Sequence, residues 1–191
     1  MSKFTDNASE KLLVVAGKIS NQKHMASIKN AFYTLMPVIL TGAFCTLISN
    51  VVCSTTTTGI SLAKLPGMSW LGMFTDLFNA ANYATLNFFT VAAVFLIGME
   101  LAKQNGLGDS PDSGVVAVCS FISVLPTYVV TTVNDVQVTV PNVLGKDYTA
   151  ARGLFLGMVI ALVSVEIYSK FVKSHVFDFK MPDTVPALNT L

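Results

Sequence analysis

The sequence predicts an all-α membrane protein of about four transmembrane helices preceded by an N-terminal amphipathic helix. Three observations predict it. The 191 residues are 52% hydrophobic and only 12% charged, whereas a soluble domain carries about 25% charged residues, and the mean hydropathy is +0.62. Charge is absent over three long stretches, Asn30 to Ala63, Leu77 to Met99 and Ser113 to Asn134. The cationic residues are also unevenly distributed along the chain. A soluble enzyme is excluded by the shortage of polar groups to cover a globular surface. With twelve Lys and Arg against eleven Asp and Glu, the chain also lacks the basic field that nucleic-acid binding requires.

Each apolar stretch is near the ~20 residues needed to cross about 30 Å of hydrocarbon, where an ionised side chain costs several kcal/mol. Spans are therefore expected near 31–53, 77–99 and 114–133. A fourth is expected near 153–171, interrupted only by Glu166 and Lys170 at its downstream end, where long side chains reach the interface. This gives a cytoplasmic segment 1–29, a membrane domain 30–172 and a tail 173–191. Lys3, Lys11, Lys18, Lys23, Lys29, Lys103, Lys170, Lys173 and Lys180 then fall on one side, and Lys64, Lys146 and Arg152 on the other, nine against three. Positive loops stay inside, so both termini are expected in the cytoplasm of a multi-pass protein. A cleaved signal peptide fits poorly, because about thirty polar or amphipathic residues precede the first apolar run.

Between the spans, Leu12, Val15, Ala16 and Ile19 recur at helical spacing with Lys11 and Lys18 flanking them. An amphipathic helix on the inner leaflet and a packed cytoplasmic helix touching no lipid fit that pattern equally well. Ser54 to Asp76 reads as ordered external loop with a turn at Leu65-Pro66-Gly67. Gly106, Gly108 and Pro111 should stop one helix near Asn105 and start the next. Val133, Val136, Val138 and Val140 alternate with polar residues, the pattern of a short hairpin outside the bilayer.

Polar groups within spans are where a membrane protein keeps its chemistry. Glu166 lies four residues before Lys170, the favourable order for a structural ion pair on one helix; a proton or cation site is the sharper alternative. Asn79, Asn82 and Asn87 suit hydrogen bonds between packed helices better than a polar pathway. Pro37, Gly42, Pro126 and the Gly153/Gly157 pair allow kinks or close helix contact, and His24 and His175 flank spans in lysine-rich segments. Cys45, Cys53 and Cys119 lack any C-x-x-C spacing and read as buried small hydrophobes. No nucleotide loop, catalytic triad or metal motif is present in the sequence. No catalytic, substrate-binding or metal residue and no cofactor are therefore assigned.

Particular strings add to this. Asn21-Gln22-Lys23-His24-Met25-Ala26-Ser27-Ile28-Lys29-Asn30-Ala31-Phe32 is followed by Met36-Pro37 and Gly42; Gly153-Leu154-Phe155 opens the fourth apolar run, Val165-Glu166-Ile167-Tyr168 closes it, and Lys180-Met181-Pro182-Asp183-Thr184-Val185-Pro186 lies beyond. These resemble the lactose/cellobiose-type enzyme IIC, the membrane permease component of the bacterial phosphoenolpyruvate-dependent phosphotransferase system. The resemblance implies a plasma-membrane sugar permease for a cellobiose/lactose-class disaccharide. A IIB partner would phosphorylate the sugar, with the phosphate passed from phosphoenolpyruvate through enzyme I, HPr and IIA. It covers the family's N-terminal half, which resembles a scaffold and homodimer-interface domain. The second half, with the sugar pocket, has no counterpart in these residues. A truncated or frame-shifted product, a split gene or a cut piece would each give this length, and a stand-alone four-span structural or interaction protein is the competing reading. The membrane assignment predicts that carbonate washing leaves the chain in the vesicle pellet. A tag at Leu191 should stay unlabelled by an impermeant reagent added outside intact cells.

Overall fold

The structure, a computed structural model, describes residues 22–56, 58–133 and 135–174. The expected amphipathic helix, His175 and the Lys180–Pro186 string lie outside the described residues. Helix α1, Lys23–Leu47, runs on through a wider π-helical turn, Ile48–Cys53, as a 31-residue apolar rod, Lys23–Cys53. Its buried residues are Ser27, Ala31, Leu35, Gly42, Cys45, Ser49 and Cys53. They fall at intervals of three, four or seven, one face of a 3.6-residue helix. Pro37 lies inside α1, where it has no N–H to offer the preceding turn.

The expected external loop contains two short 3-10 turns, Leu62–Lys64 and Ser69–Phe74, joined by a tight turn in which the Met68 N–H donates to the Leu65 carbonyl at 3.1 Å. The expected straight span at 77–99 is instead a broken rod. Helix α2, Thr75–Asn82, widens into a π turn at Tyr83–Asn87, and α3, Phe89–Gln104, follows after Phe88 at a 41° bend. The cause is local. The π turn at Tyr83–Asn87 interrupts the α-helical ladder directly before the bend, and the Thr85 hydroxyl within it donates back to the carbonyls of Ala81 and Asn82 at 2.8 and 3.2 Å. An absence of charge cannot show where a rod bends.

The corner after α3 ends as expected, through a Schellman turn. The Gly106 N–H donates to Lys103 O and the Leu107 N–H to Ala102 O, both at 3.0 Å, with Gly106 at φ +77°, a conformation glycine adopts without steric cost. Helix α4, Pro111–Val124, begins with its proline in the first turn. It ends nine residues before the expected span does, because Leu125 precedes Pro126 and turns extended (ψ 147°). The remaining charge-free residues supply the first strand of a hairpin. Strand β1, Tyr128–Val133, pairs antiparallel with β2, Val136–Pro141, from Tyr128 against Pro141 to Val133 against Val136. The chain then passes through the single turn α5, Lys146–Thr149, into α6, Leu154–Lys173.

The fold is thus mostly helical, as expected, with one added hairpin. By length and composition two helices, Lys23–Cys53 and Ala151–Lys173, are long and apolar enough to cross a membrane, and three if the bent pair is one span. The four-span expectation counted α4 as a full span, but its 14 residues rise only about 21 Å.

Helix α3 sits at the centre, packed on α1, α4 and α6. Phe89, Ala93, Val94, Ile97, Leu101 and Ala102 are buried on it, against Leu35, Phe121, Ala161 and Val165 of its neighbours. Two contacts are too close for a larger residue. A Cβ at Gly98 would lie 2.8 Å from Ala117 Cβ and 3.0 Å from Ser113 O, and one at Gly157 would lie 2.7 Å from a Val94 methyl. Gly157, Ala161, Val165 and Ser169 continue this row along α6, so the Gly153/Gly157 pair belongs to a longer small-residue seam. Leucine at Gly98 or Gly157 is expected to destabilise the detergent-solubilised chain by about 2 kcal/mol, as overpacking does. Val163→Leu, on the exposed face of α6, should leave its thermal midpoint unchanged.

Candidate functional site

The Schellman turn sets Asn105 at the C-terminal end of α3, facing the N-terminus of α1 and the last turns of α6. Lys23 Nζ lies 2.5 Å from Glu166 Oε1 and donates to Asn105 Oδ1 at 3.1 Å. Asn105 Nδ2 donates to Glu166 Oε1 at 3.4 Å and to Ser169 Oγ at 3.1 Å. Three helices are thereby joined by four side chains. His24 stands beside them, its Nδ1 buried, without a hydrogen bond among the described residues, and 3.8 Å from Glu166 Oε1. Glu166 therefore pairs across the bundle with Lys23, and the expected Lys170 partner is not used. The i,i+4 rule sees one helix, whereas the packing of both α1 and α6 on α3 brings a residue from the other end of the chain closer.

Two further polar links lie at the same end. Asn30 Nδ2 donates to Glu100 Oε2 at 3.3 Å, and Lys103 bridges Glu100 and Asp109 at 3.0 and 2.8 Å. The Tyr168 hydroxyl donates to Asp112 Oδ2 at 3.2 Å, tying α6 to the start of α4. Asp109 is 77% exposed, so its bridge adds little stability. Glu166 at 25% is screened less.

Asn79 and Asn82 act as interhelical glue, the reading the sequence favoured. Ser49 Oγ donates to Asn79 Oδ1 at 2.5 Å, and Asn82 Nδ2 reaches Gly42 O at 3.5 Å and bonds Thr46 Oγ1. Asn87 makes no side-chain hydrogen bond among the described residues. The buried Thr90 hydroxyl donates to Ala150 O at 2.5 Å, fixing the segment that leads into α6. No signal in the sequence singled it out; only the packed structure places a threonine opposite this carbonyl, which also accepts from the Gly153 N–H at 3.0 Å.

Cys45 and Cys53 are buried as expected, but Cys119 is exposed. It lines an apolar groove of about 640 Å³ with Leu35, Val38, Phe88, Phe95 and Val118. A small apolar residue in an oily stretch is as well suited to the lipid-facing wall as to the core, and its neighbours in sequence cannot decide which. Among the described residues no three His, Cys, Asp or Glu side chains gather as a metal site would require. What these groups do chemically is hold helix ends in register.

Residues 29–190 match the family model of the phosphotransferase system EIIC, and the chain belongs to that family. It is 29% identical to the lichenan permease IIC component of Bacillus subtilis over 97% of this chain and 40% of the relative. With the oligo-beta-mannoside-specific EIIC component of the same organism the figures are 28%, 95% and 38%. For the cellobiose-specific EIIC component of Geobacillus stearothermophilus they are 26%, 97% and 40%. The chain spans about 40% of the length of these relatives, in their N-terminal half. Among solved structures, the crystal structure of the transporter ChbC, the IIC component of the N,N'-diacetylchitobiose-specific phosphotransferase system, matches with a TM-score of 0.75 and 28% identity. That match covers 93% of this chain and 40% of ChbC. The EIIC family is an integral membrane component, in keeping with the apolar helices here.

Lys23→Gln and Glu166→Gln should each lower stability in detergent by about 1 kcal/mol, and the double variant by less than the sum, since the two removals share one pair. Lys170→Gln should leave the thermal midpoint within experimental error.

Proposed function

We propose that this chain is the N-terminal scaffold half of a phosphotransferase-system sugar permease for a disaccharide of the cellobiose/lactose class. Joined by a second permease half that carries the sugar pocket, it takes part in uptake coupled to phosphorylation by a IIB partner, itself charged by IIA. The observation that carries this reading is the family match over 29–190 together with coverage of only about 40% of each relative.

Its residues supply framework. The small-residue seam between α3 and α6 gives the bundle a rigid centre, and the Lys23–Asn105–Glu166–Ser169 tie clamps three helix ends on the cytoplasmic side. In this reading both termini are cytoplasmic, and four membrane passages lie near 31–53, 77–99, 114–133 and 153–171. The second is bent at Phe88 and the third is supplied mainly by the short α4. A homodimer formed through this half fits the same role. The transport pocket is placed in the second half in this reading, so transport is assigned to the assembled pair.

The test is uptake of labelled cellobiose or lactose in cells that hold IIA and IIB. Expression of this chain alone should give none. Co-expression with a matching second half should restore uptake, and the two halves should co-purify in detergent. Uptake by the chain alone, or failure of the halves to associate, would overturn the proposal.

A further inference from the structure

At the end of the bundle opposite the Lys23–Asn105–Glu166 tie, the hairpin and the Leu144–Tyr148 segment enclose a cleft of about 690 Å³. Three tyrosines from separate segments line it: Tyr83 from the π turn before the bend, Tyr128 at the start of β1, and Tyr148 on α5. Val129, Lys146 and Asp147 complete the lining used here. Tyr83 is held edge-on against Phe88, with centroids 5.6 Å apart at 73°. The Tyr148 backbone is fixed by its N–H, which donates to Gly145 O at 3.0 Å, and its ring lies over Gly145, where a Cβ would stand 3.3 Å from Cδ2. All three rings are exposed, and none of their hydroxyls has a hydrogen-bond partner among the described residues.

We infer that this tyrosine-lined cleft is an external subsite for a neutral oligosaccharide, capturing sugar before it reaches the transport pocket of the second half. The inference rests on the permease reading. A pyranose has a flat C–H face and a rim of hydroxyls, and a tyrosine offers the matching surfaces, an apolar ring with a polar edge. Lys146, Asp147 and the Arg152 paired with Asp147 at 3.1 Å leave a single net positive charge, too weak a field to select a multivalent anion. Its volume falls within the roughly 300–1,000 Å³ of small-ligand sites. Tyrosines also mark membrane interfaces, but a belt spaces its rings around the perimeter, whereas these converge on one concavity beneath a hairpin.

The probe is cellobiose added to the purified 191-residue chain in detergent, followed by saturation-transfer NMR, with glycerol as the control polyol. Transfer to the sugar ring protons and a millimolar Kd are expected. Tyr148→Ala and Tyr128→Ala should each weaken binding about tenfold, and Tyr33→Ala, an exposed tyrosine on α1, should not. If the alanine variants aggregate, Tyr148→Phe and Lys146→Gln carry the test, with binding two- to fivefold weaker expected and unchanged binding counting against the subsite. Absence of transfer to cellobiose, or equal binding by the variants, overturns the inference. In cells with both halves, wild-type uptake that is unchanged by Tyr148→Ala at limiting sugar also overturns it and leaves the permease reading standing. Loss of wild-type uptake there would fail the permease reading, while the NMR measurement still decides the subsite.

Discussion

The nearness of α4 and α6 to α3 depends on glycine at three places. Gly98 and Gly114 face each other across α3 and α4, where a Cβ at Gly114 would meet the Phe95 ring at 2.7 Å, and Gly157 lies against Val94 and Thr90. In hydrocarbon the usual drive to bury apolar surface is missing, because lipid is as apolar as leucine. Helices associate instead through close van der Waals contact and a few hydrogen bonds. A central helix touching three others at this distance gains contacts along its whole length, and that is what allows Ile97 and Leu101 to be fully buried. It also fixes the angular position of each outer helix, since the small residues occupy only one stripe of α6.

From that position the polar tie follows. Once α1 and α6 flank α3, Lys23, Asn105 and Glu166 are brought to the same level, and each satisfies a demand of the others. The carboxylate takes two donors, the amide uses both its oxygen and its nitrogen, and Ser169 accepts the remaining N–H. The tie acts where sliding of one helix past another would otherwise cost little. At the opposite end Asn79, Asn82 and Thr90 perform a similar service, each bonding a neighbouring segment.

Legibility in the sequence followed the physics of each signal. Helical periodicity and the absence of charge located α1, α3 and α6, and Gly106 with Pro111 located the corner, because these features act over a few residues. The hairpin was visible in its alternating valines. The length of α4 was misjudged because an uncharged run is equally compatible with helix and strand, and the single Pro126 carried the information that divides them. The bend at Phe88 follows a π turn, which composition does not display. In the candidate site, Glu166 was noticed as the one carboxylate well inside an apolar run, yet its true partner is far away in sequence. Asn105 was seen only as a helix end, though its side chain is the centre of the tie.

The shortness of α4 bears on the lipid around the molecule. In the proposed four-passage arrangement, acyl chains beside α1 and α6 would meet an oily wall of ordinary height, and beside α4 one about 9 Å lower than a 30 Å core. Neighbouring lipids there would have to tilt or compress, with headgroups and water drawn toward the base of the hairpin. A dimple of this kind gives the leaflet an uneven thickness around the protein, so membranes of different acyl-chain length will strain this one flank more than the rest.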